Sequence, residues 1–545
     1  MPGPWKNQLY FGDNLSILRE EVPDASVDLV YLDPPFNSNA TYNVLFAEQS
    51  GERSAAQIAV FEDTWHWGPE PEQTYHEMIT QGPRKGTELL QAFRSFLGMN
   101  DMMAYLSMMA IRLVELHRVL KPTGSIYLHC DPTASHYLKL LMDAVFSPKN
   151  FRNEIIWKRT SSHSDARQGA RHYGRITDTL LFYAKDTQNT WNPQHMPYDP
   201  GYVERDYRRV DPDGRRYRID NLQGPGGAAK GNPYYEVMGV SRHWRYSKEK
   251  MEELIRQGRV IQTRPGAVPQ YKRYLDEMPG VPVQNLWADL PLLNNRSREV
   301  LGYPTQKPES LLERIIKTSS NEGDIVLDPF CGCGTAVAVS ERLHRRWIGI
   351  DVTHLAIALM KHRLHDTFGP DLAPYEVIGV PEDLASAEAL AQQNRYQFEW
   401  WALGLVDARP AQDKKKGADR GVDGHIYFFD DNSGKAKQII AQVKSGNVSV
   451  PQVRDLVGVL QREKAAIGLF LTLREPTRPM LQEAAGAGFY VPAYFPDQRF
   501  PRLQVLTIAE LLQGKQAQYP RYAPTATFRQ ASRRQQDADR QQSLL

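Results

Sequence analysis

The chain lacks the sequence features of membrane proteins, secreted proteins and disulfide-stabilised folds. No apolar run approaches the length of a membrane span, and the N-terminus has no signal-peptide pattern. Only three cysteines occur, and they cannot form a disulfide framework; Cys331 and Cys333 are also too closely spaced for the usual zinc pairs. We therefore expect a cytoplasmic protein with no membrane partner.

A strong charge of either sign is also missing. The formal net charge is only +2, so any attraction to nucleic acid must be local rather than a property of the whole surface. No Gly-x-x-x-x-Gly-Lys-Ser/Thr stretch is present, which argues against ATP-driven translocation. With 545 residues, the chain is too long for one ordinary core and predicts two to four domains.

Strands and helices alternate over the first 185 residues. This alternation predicts an α/β unit with a largely parallel sheet. Residues 37 to about 100 are polar and contain glycines, and we expect them to form a long irregular loop. Strands are expected near residues 8–11, 27–32, 124–129, 154–158 and 178–183.

The stretch Asp33-Pro34-Pro35-Phe36 directly follows the apolar strand at 27–32. Two prolines make the loop rigid and remove N–H donors, and an ionised Asp33 only accepts hydrogen bonds. Phe36 adds a flat apolar surface. A carboxylate, a carbonyl and an aromatic plane together suit a planar group with an exocyclic NH2, such as a nucleobase. An ordinary proline turn remains the alternative at this point.

A second stretch, residues 324–335, predicts a strand, a glycine-containing turn and the start of a helix. Its sequence is Asp-Ile-Val-Leu-Asp-Pro-Phe-Cys-Gly-Cys-Gly-Thr, and glycines allow a ligand to approach the backbone at a helix start. The next strand ends at Asp351, at about the spacing where such folds place a carboxylate on ribose hydroxyls.

The segment from about 195 to 300 has a different composition, with many Arg, Tyr, Trp, Pro and Gly residues. Cations attract phosphates, and interleaved aromatic rings can stack on bases. A solvated charged face above core aromatics is the alternative.

The two loops together resemble the β group of the amino DNA methyltransferases, which use S-adenosylmethionine. The catalytic-type loop precedes the cofactor-type loop, with the Arg-rich segment between them, as in that group. Further matches are Gly12-Asp13-Asn14, residues 304–309 (Pro-Thr-Gln-Lys-Pro-Glu) and Gly349-Ile350-Asp351. The resemblance covers about residues 8 to 365. It implies a doubly wound Rossmann-like sheet with an inserted target-recognition region.

The resemblance also implies roles for individual residues. Asp33 and the Pro34 carbonyl would accept the two amino protons of a base flipped out of duplex DNA, with Pro35 rigidifying the loop and Phe36 stacking on the base. An Asp at the first position favours adenine N6, while cytosine N4 stays open. The residues implied to bind the cofactor are Asp13 at its adenine end, Asp351 at its ribose, Lys307, Asp328, Pro329, Phe330, Gly332, Gly334 and Thr335. For Lys307, helix capping or a surface position is an equal alternative.

The C-terminal third forms a second predicted α/β unit, up to about residue 512. Asp423 precedes one strand, and Gln442 and Lys444 share one face of the next. This arrangement resembles the Mrr-like branch of the PD-(D/E)xK nucleases, with Glu399 as the upstream helical acid. The resemblance implies a restriction-endonuclease-like domain in which Asp423 and Glu399 bind Mg²⁺, while Lys444 orients or deprotonates the attacking water.

These observations predict five segments: residues 1–189 and 301–385 as the two methyltransferase halves, 190–300 for target recognition, 386–512 as the nuclease domain, and 513–545 as a disordered tail. The leading hypothesis is a single-chain restriction-modification enzyme that acts on double-stranded DNA; whether it forms a homodimer stays open. In the alternative, the C-terminal domain only binds DNA and the chain is solely a methyltransferase. A third reading, methylation of RNA or of a protein amide, shares the catalytic loop.

Overall fold

The structure is a computed structural model that describes residues 5–35, 41–47, 53–62, 65–160, 171, 173–293, 297, 299–301, 303, 305–411, 421–430, 436–521 and 527. Within these residues, no helix combines the length and apolarity needed to cross a bilayer.

A nine-stranded sheet forms the framework of the N-terminal two thirds of the chain. All of its strands run parallel except Thr177–Ala184, which is antiparallel to both neighbours. The strand order is Leu286–Trp287, Phe151–Lys158, Thr177–Ala184, Leu120–Cys130, Val27–Leu32, Ile325–Asp328, Arg346–Asp351, Asn7–Phe11 and Tyr375–Ile378. This order confirms the predicted doubly wound α/β fold.

Apolar side chains alternate between the two faces of this sheet, and each face is covered by helices. Adjacent residues of one strand show this: Trp347 packs in one apolar cluster and Ile348 in the other. The larger cluster contains buried residues of Asp101–Val119 and Ser135–Phe146, and the smaller one contains residues of Thr335–Arg342 and His354–Phe368. Helices Asn14–Glu20 and Glu309–Ser319 also belong to this part.

The expectation of an irregular loop from 37 to about 100 is wrong. The structure has strands Thr41–Ala47 and Arg53–Glu62, followed by helices Pro69–Gln81 and Arg84–Leu97. Only a few residues of each helix are buried, such as Met78 and Phe93. Because most positions between them are polar, the apolar spacing was too sparse to reveal the helices from sequence.

Residues 193–284 form a separate compact unit inside the chain. Its core is built around the fully buried Trp244 and the helix Lys248–Arg256. The unit also contains helix Pro200–Asp206 and a four-stranded sheet, whose strands in order are Val260–Ile261, Gln270–Tyr274, Arg216–Asn221 and Arg209–Val210. Two further pairs of strands are Tyr234–Val237 with Val240–His243 and His195–Met196 with Val281–Pro282.

The C-terminal part contains a five-stranded mixed sheet. In order, its strands are Arg409–Pro410, Gly424–Phe428, Lys437–Lys444, Ile467–Thr472 and Leu503–Thr507; the first three pair antiparallel and the last three parallel. Helices Leu384–Gln393 and Arg395–Gly404 precede it, and Val450–Arg462, Arg478–Gly486 and Ile508–Leu512 connect or follow its strands. A short ribbon joins Phe489–Tyr490 to Phe500–Pro501.

The predicted disordered tail does not begin at residue 513. Ala517 and Tyr519 are each only 5% exposed and pack in the core of the five-stranded sheet. The Gln504 amide anchors this segment by donating to the carbonyl of Gln518. The remainder of the predicted tail, 522–526 and 528–545, lies outside the described residues.

Candidate active site

A cavity lies at the carboxyl edge of the nine-stranded sheet. Strands Val27–Leu32 and Ile325–Asp328 are neighbours there, so the loops that follow them meet at one point. The cavity measures about 490 Å³. Most predicted residues of the methyltransferase part line it: Asp13, Asp33, Pro34, Pro35, Lys307, Asp328, Pro329, Phe330, Gly332, Thr335 and Asp351. Phe36 lies outside the described residues.

Asp33 and Lys307 form an ion pair in this cavity. The Lys307 ammonium donates to Oδ2 of Asp33, and the two side chains are only 11% and 13% exposed. Oδ1 of Asp33 is buried and accepts no hydrogen bond from any described residue. Lys307 is therefore not a surface side chain, and it does not cap the helix that begins at Glu309.

A buried histidine lies behind Asp33, and its role was not predicted from the sequence. His129, in strand Leu120–Cys130, is fully buried. Its Nδ1 lies 3.0 Å from the Tyr31 hydroxyl and 3.9 Å from Oδ1 of Asp33. Its Nε2 lies 3.3 Å from the Asp178 carboxylate. These contacts hold the imidazole between two carboxylates, one of which faces the cavity.

The glycines at Gly332 and Gly334 are required by the shape of the second loop. Both have left-handed backbones, with φ of 50° and 73°. A Cβ on Gly334 would come within 2.5 Å of Met360, and one on Gly332 within 3.1 Å of the Tyr303 ring. The two glycines therefore let the loop pack closely against Met360 and Tyr303, and Gly332 also lies in the cavity lining.

Two buried carboxyl groups hold this loop in position. Asp328 accepts from the Phe330 amide at 3.1 Å, and burial raises the pKa of Asp328 well above its usual value. Asp351 accepts from the Gly332 amide at 2.9 Å and from the amide and hydroxyl of Thr353 at 2.9 and 2.8 Å. Burial raises the pKa of Asp351 to about 6, despite these hydrogen bonds. Oδ1 accepts both bonds from Thr353, whereas Oδ2 accepts only the Gly332 amide and keeps a second lone pair for a ligand.

Asp13 is linked to the glycine loop through a buried arginine. Its carboxylate caps helix Asn14–Glu20 and accepts from Arg112 at 2.6 Å. Arg112 also donates to the Asn14 side chain at 2.6 Å, and the Asn14 amide donates to the Pro329 carbonyl at 2.8 Å. Sequence reasoning missed Arg112, although an arginine between apolar neighbours in a buried helix was a usable signal.

A second buried arginine supports the other side of the loop. Arg363 donates to the Cys333 carbonyl at 3.2 Å and to the Thr335 hydroxyl at 3.0 Å. Its other terminal nitrogen donates to Glu309 at 2.8 Å. Glu309 belongs to the motif recognised at 304–309, but its function as an anchor for this arginine was visible only in the structure.

The predicted nuclease residues lie on or beside strand Lys437–Lys444. The Asp423 amide donates to the Ala441 carbonyl at 2.9 Å, and its carboxylate accepts from the Val443 amide at 2.7 Å. Asp423 therefore lies next to Gln442, which is 7% exposed and whose side-chain oxygen accepts no hydrogen bond from any described residue. Lys444 follows two residues later on the same strand and is half-buried.

Glu399 lies on helix Arg395–Gly404, which packs against strand Lys437–Lys444, and it is half-buried. Among the described residues, no cluster of three or more His, Cys, Asp or Glu side chains is arranged to hold a metal. A metal held by the described residues would use fewer acids, with an oxygen such as that of Gln442 completing the set. The buried, unpartnered Gln442 oxygen beside Asp423 fits that requirement.

The strand order and the cavity at its carboxyl edge place a ligand site where doubly wound α/β proteins bind their ligands. A family model described as DNA methylase matches residues 27–361, more than half of the chain, and a model described as restriction endonuclease matches residues 390–492. The chain therefore belongs to the DNA methylase family and carries a restriction endonuclease domain.

Several known proteins are similar over the methylase part. The Type II methyltransferase M.EcaI of Enterobacter cloacae is 26% identical over 361 residues, covering 66% of this chain and 69% of the relative. The DNA adenine methyltransferase YhdJ of Escherichia coli (strain K12) is 26% identical over 354 residues, covering 65% of this chain and 81% of the relative. The solved PvuII DNA methyltransferase (cytosine-N4-specific) is 15% identical with a TM-score of 0.31, covering 65% of this chain and 85% of that one. A TM-score this low carries no weight for function.

Proposed function

We propose that this enzyme methylates the exocyclic amino group of a base flipped out of double-stranded DNA, with adenine N6 as the favoured target. The observation that supports this most directly is the state of Asp33. Lys307 holds one carboxylate oxygen, while the other is buried and accepts no hydrogen bond from any described residue. An amino group of a base supplies the missing donor.

The reaction needs the amino nitrogen to become a nucleophile. Its lone pair is delocalised into the base, and hydrogen bonds from its two protons to Asp33 Oδ1 and the Pro34 carbonyl favour a tetrahedral nitrogen with a localised lone pair. Bound S-adenosylmethionine supplies an electrophilic methyl group. Lys307 fixes the orientation of Asp33, and the rigid prolines fix the carbonyl, so catalysis comes from positioning and electrostatics.

The residues around the glycine loop fit this cofactor. Gly332 lies in the cavity lining with a left-handed backbone, and Oδ2 of Asp351 keeps one lone pair for a ribose hydroxyl. Asp13 lies across the same cavity and is 48% exposed, so its carboxylate is open to the adenine end.

The choice of base rests on two indications. An Asp at the first position of the catalytic loop favours adenine, and YhdJ, which is similar over most of its length, is named an adenine methyltransferase. Cytosine N4 is the alternative.

We further propose that the C-terminal domain cleaves DNA with Mg²⁺, so that the chain is a single-chain restriction-modification enzyme. Asp423, the Gln442 oxygen and Glu399 would hold the metal, and Lys444 would orient the attacking water. Bound Mg²⁺ stabilises negative charge on the phosphate that is attacked. In the alternative, this domain grips DNA without cutting it.

Expression of the full chain in a methylation-free host tests the first proposal. Mapping of modified bases in the host genome should show N6-methyladenine at one sequence motif. The Asp33→Ala variant should show none. Modified cytosine would replace the adenine assignment, and an unmodified genome with soluble wild-type protein would disprove the methylation proposal.

Cleavage is tested separately on unmethylated plasmid DNA. The wild type should cut it in the presence of Mg²⁺, and chelation of the metal or the Lys444→Ala change should prevent cutting. If the wild type binds the plasmid but never cuts it with Mg²⁺, Mn²⁺ or added S-adenosylmethionine, the DNA-gripping alternative is correct.

A further inference from the structure

Several cations in or beside the four-stranded sheet of the 193–284 unit are already neutralised. Arg215 pairs with Asp276 and Glu277 at 2.9 and 2.7 Å. Lys272 pairs with Asp211 at 2.6 Å, and Arg273 with Asp220 at 2.5 Å. Cations that are held by carboxylates contribute little to phosphate binding, so this sheet is a poor candidate for the DNA-binding surface.

The two-stranded ribbon, Tyr234–Val237 with Val240–His243, has a different character. Its register pairs Val237 with Val240 and Glu236 with Ser241, and directly opposed residues share a face. Val237 is buried in the core of the unit, so its face points inward. The opposite face carries Tyr234, Glu236, Ser241 and His243.

This outward face presents polar side chains to solvent. Glu236 and Ser241 are exposed, and their side chains make no hydrogen bond or ion pair with any described residue. Tyr234 is 64% exposed, and its ring contacts the His243 ring with centroids 5.0 Å apart. His243 is oriented by a 2.9 Å contact between its Nδ1 and the Asn232 carbonyl.

Exposed cations without an ion pair to any described residue flank the ribbon. Arg242 lies within the ribbon, opposite Tyr235 on the face that carries Val237, and its side chain is nevertheless exposed; Arg245 follows the second strand. Lys230 precedes the ribbon, in a loop whose Gly227 lies against the His243 ring. Arg264 lies in a turn close to the ribbon tip. Gln262 connects this turn to the tip, because its side-chain amide donates to the Met238 carbonyl at 2.8 Å.

We infer that this ribbon reads DNA sequence from the major groove, with Glu236 and Ser241 contacting base edges and the four flanking cations contacting phosphates. A two-stranded ribbon fits the major groove of B-form DNA, where a carboxylate accepts from the cytosine amino group. The major groove of A-form RNA is too narrow for it. The inference rests on the proposed DNA methylation and names the residues that select its site.

The phosphate contacts are tested by measuring the affinity of the full chain for duplex DNA at several salt concentrations. Arg242→Ala/Arg245→Ala should lower the slope of log K against log salt by about 2, since each lost phosphate contact removes roughly one unit. The matched control is Arg205→Ala/Lys250→Ala, which removes the same charge from cations paired to Asp206 and Glu253. The control should keep the wild-type slope.

Base readout is tested by Glu236→Gln and Ser241→Ala. Loss of a base contact should relax the preference at one position of the methylated motif by about tenfold to a hundredfold, without changing the salt slope. The motif is read by mapping modified bases in the host. Lys230→Ala and Arg264→Ala, which lie outside the strands, should each lower the slope by about 1 even if the double variant does not fold.

The two proposals fail in different ways. An unchanged slope in the folded Arg242/Arg245 variant, or an unchanged motif with both Glu236→Gln and Ser241→Ala, would overturn the assignment of the ribbon. Absence of methylation by the wild type would disprove the proposed function, whereas the binding measurements would still decide whether the ribbon contacts DNA. Equal wild-type affinity for duplex RNA would also contradict the major-groove assignment.

Discussion

The two chemical centres of this chain each contain one buried side-chain oxygen that accepts no hydrogen bond from the described residues. In the methylase part it is Oδ1 of Asp33, and in the endonuclease part it is the oxygen of Gln442. Their neighbours have opposite charge. Asp33 is paired with the Lys307 cation, while Gln442 lies beside the Asp423 carboxylate.

This difference in charge indicates which ligand each oxygen suits. A metal cation is repelled by a lysine at ion-pair distance, so the Asp33 oxygen suits a neutral N–H donor such as a base amino group. An amide oxygen next to a carboxylate instead suits a divalent cation. The same kind of orphaned oxygen thus points to two different reactions.

Substitutions that inactivate one centre at a time should have the largest effects. Asp33→Ala should reduce methyl transfer by about a thousandfold, because a positioned group at the reacting atom is lost, and should leave cleavage intact. Lys444→Ala should do the reverse. The measurements are methyl incorporation into duplex DNA and plasmid cutting by each variant. If either substitution abolished both activities in folded protein, the centres would not be independent.

The next largest effect should come from the loss of Arg363, which supports the glycine loop. Arg363→Met should lower the free energy of unfolding by about 3 kcal/mol, because Glu309 and Thr335 lose a buried partner. Denaturant unfolding of the full chain measures this. Arg342→Met is the control, since Arg342 bonds to the same Glu309 but is 29% exposed and should cost less than about 1 kcal/mol. Equal costs would show that burial of Arg363 is not the decisive feature.

A smaller effect is expected from substitution of His129, which lies behind Asp33. His129→Asn should lower the rate of methyl transfer by about tenfold to a hundredfold through misplacement of the catalytic carboxylate, with little change in KM for the cofactor. Tyr31→Phe removes only the hydroxyl contact and should have a weaker effect. Steady-state kinetics separates the two parameters. A fall in cofactor affinity with an unchanged rate would instead place His129 in the binding of the cofactor.

The smallest effect concerns pH. Burial raises the pKa of Asp351 to about 6, so the group gains its proton as the pH falls through 6 and loses acceptor capacity. Affinity for S-adenosylmethionine should then weaken by up to about tenfold per pH unit below 6. Calorimetric titration from pH 8 to 5 measures this. The Asp351→Asn variant should bind weakly at every pH, and a retained dependence in that variant would implicate another group.

Asp351 also affects stability with a defined sign. Its pKa is higher in the folded state than the ordinary value of 3.8, so the folded protein binds this proton more tightly. Its ionisation therefore lowers the free energy of unfolding as the pH rises from about 4 to about 6. At neutral pH the folded protein still bears the free-energy cost of the Asp351 charge, and the carboxylate accepts a hydrogen bond from the Gly332 amide.

The fold was largely predictable from local sequence signals. Strand Val27–Leu32 is apolar except for Asp28 and is followed by Asp33 and two prolines, and Ile325–Asp328 precedes a glycine turn. Such signals depend only on neighbouring residues. The helices Pro69–Gln81 and Arg84–Leu97 were missed because each buries few residues, and their packing partners are distant in sequence.

The motif residues of the site were predictable from the sequence, whereas the residues that hold them in position were not. The motif residues meet in one cavity, but Arg112, His129 and Arg363 were not identified in advance. Each is a polar side chain inside an apolar element, and a single sequence does not say which distant partner satisfies it. The cations of residues 193–284 show the same limit, because only the structure separates those paired with acids from those left exposed.

The sequence by itself determined the order of the motifs, the α/β class and the presence of two chemical domains, since these follow from periodicity and from residues close together in the chain. Only the tertiary structure decided that Lys307 pairs with Asp33, 274 positions away, and that Asp351 holds Gly332. The physical reason is that buried polar atoms must find partners, and the fold determines which partners come within reach.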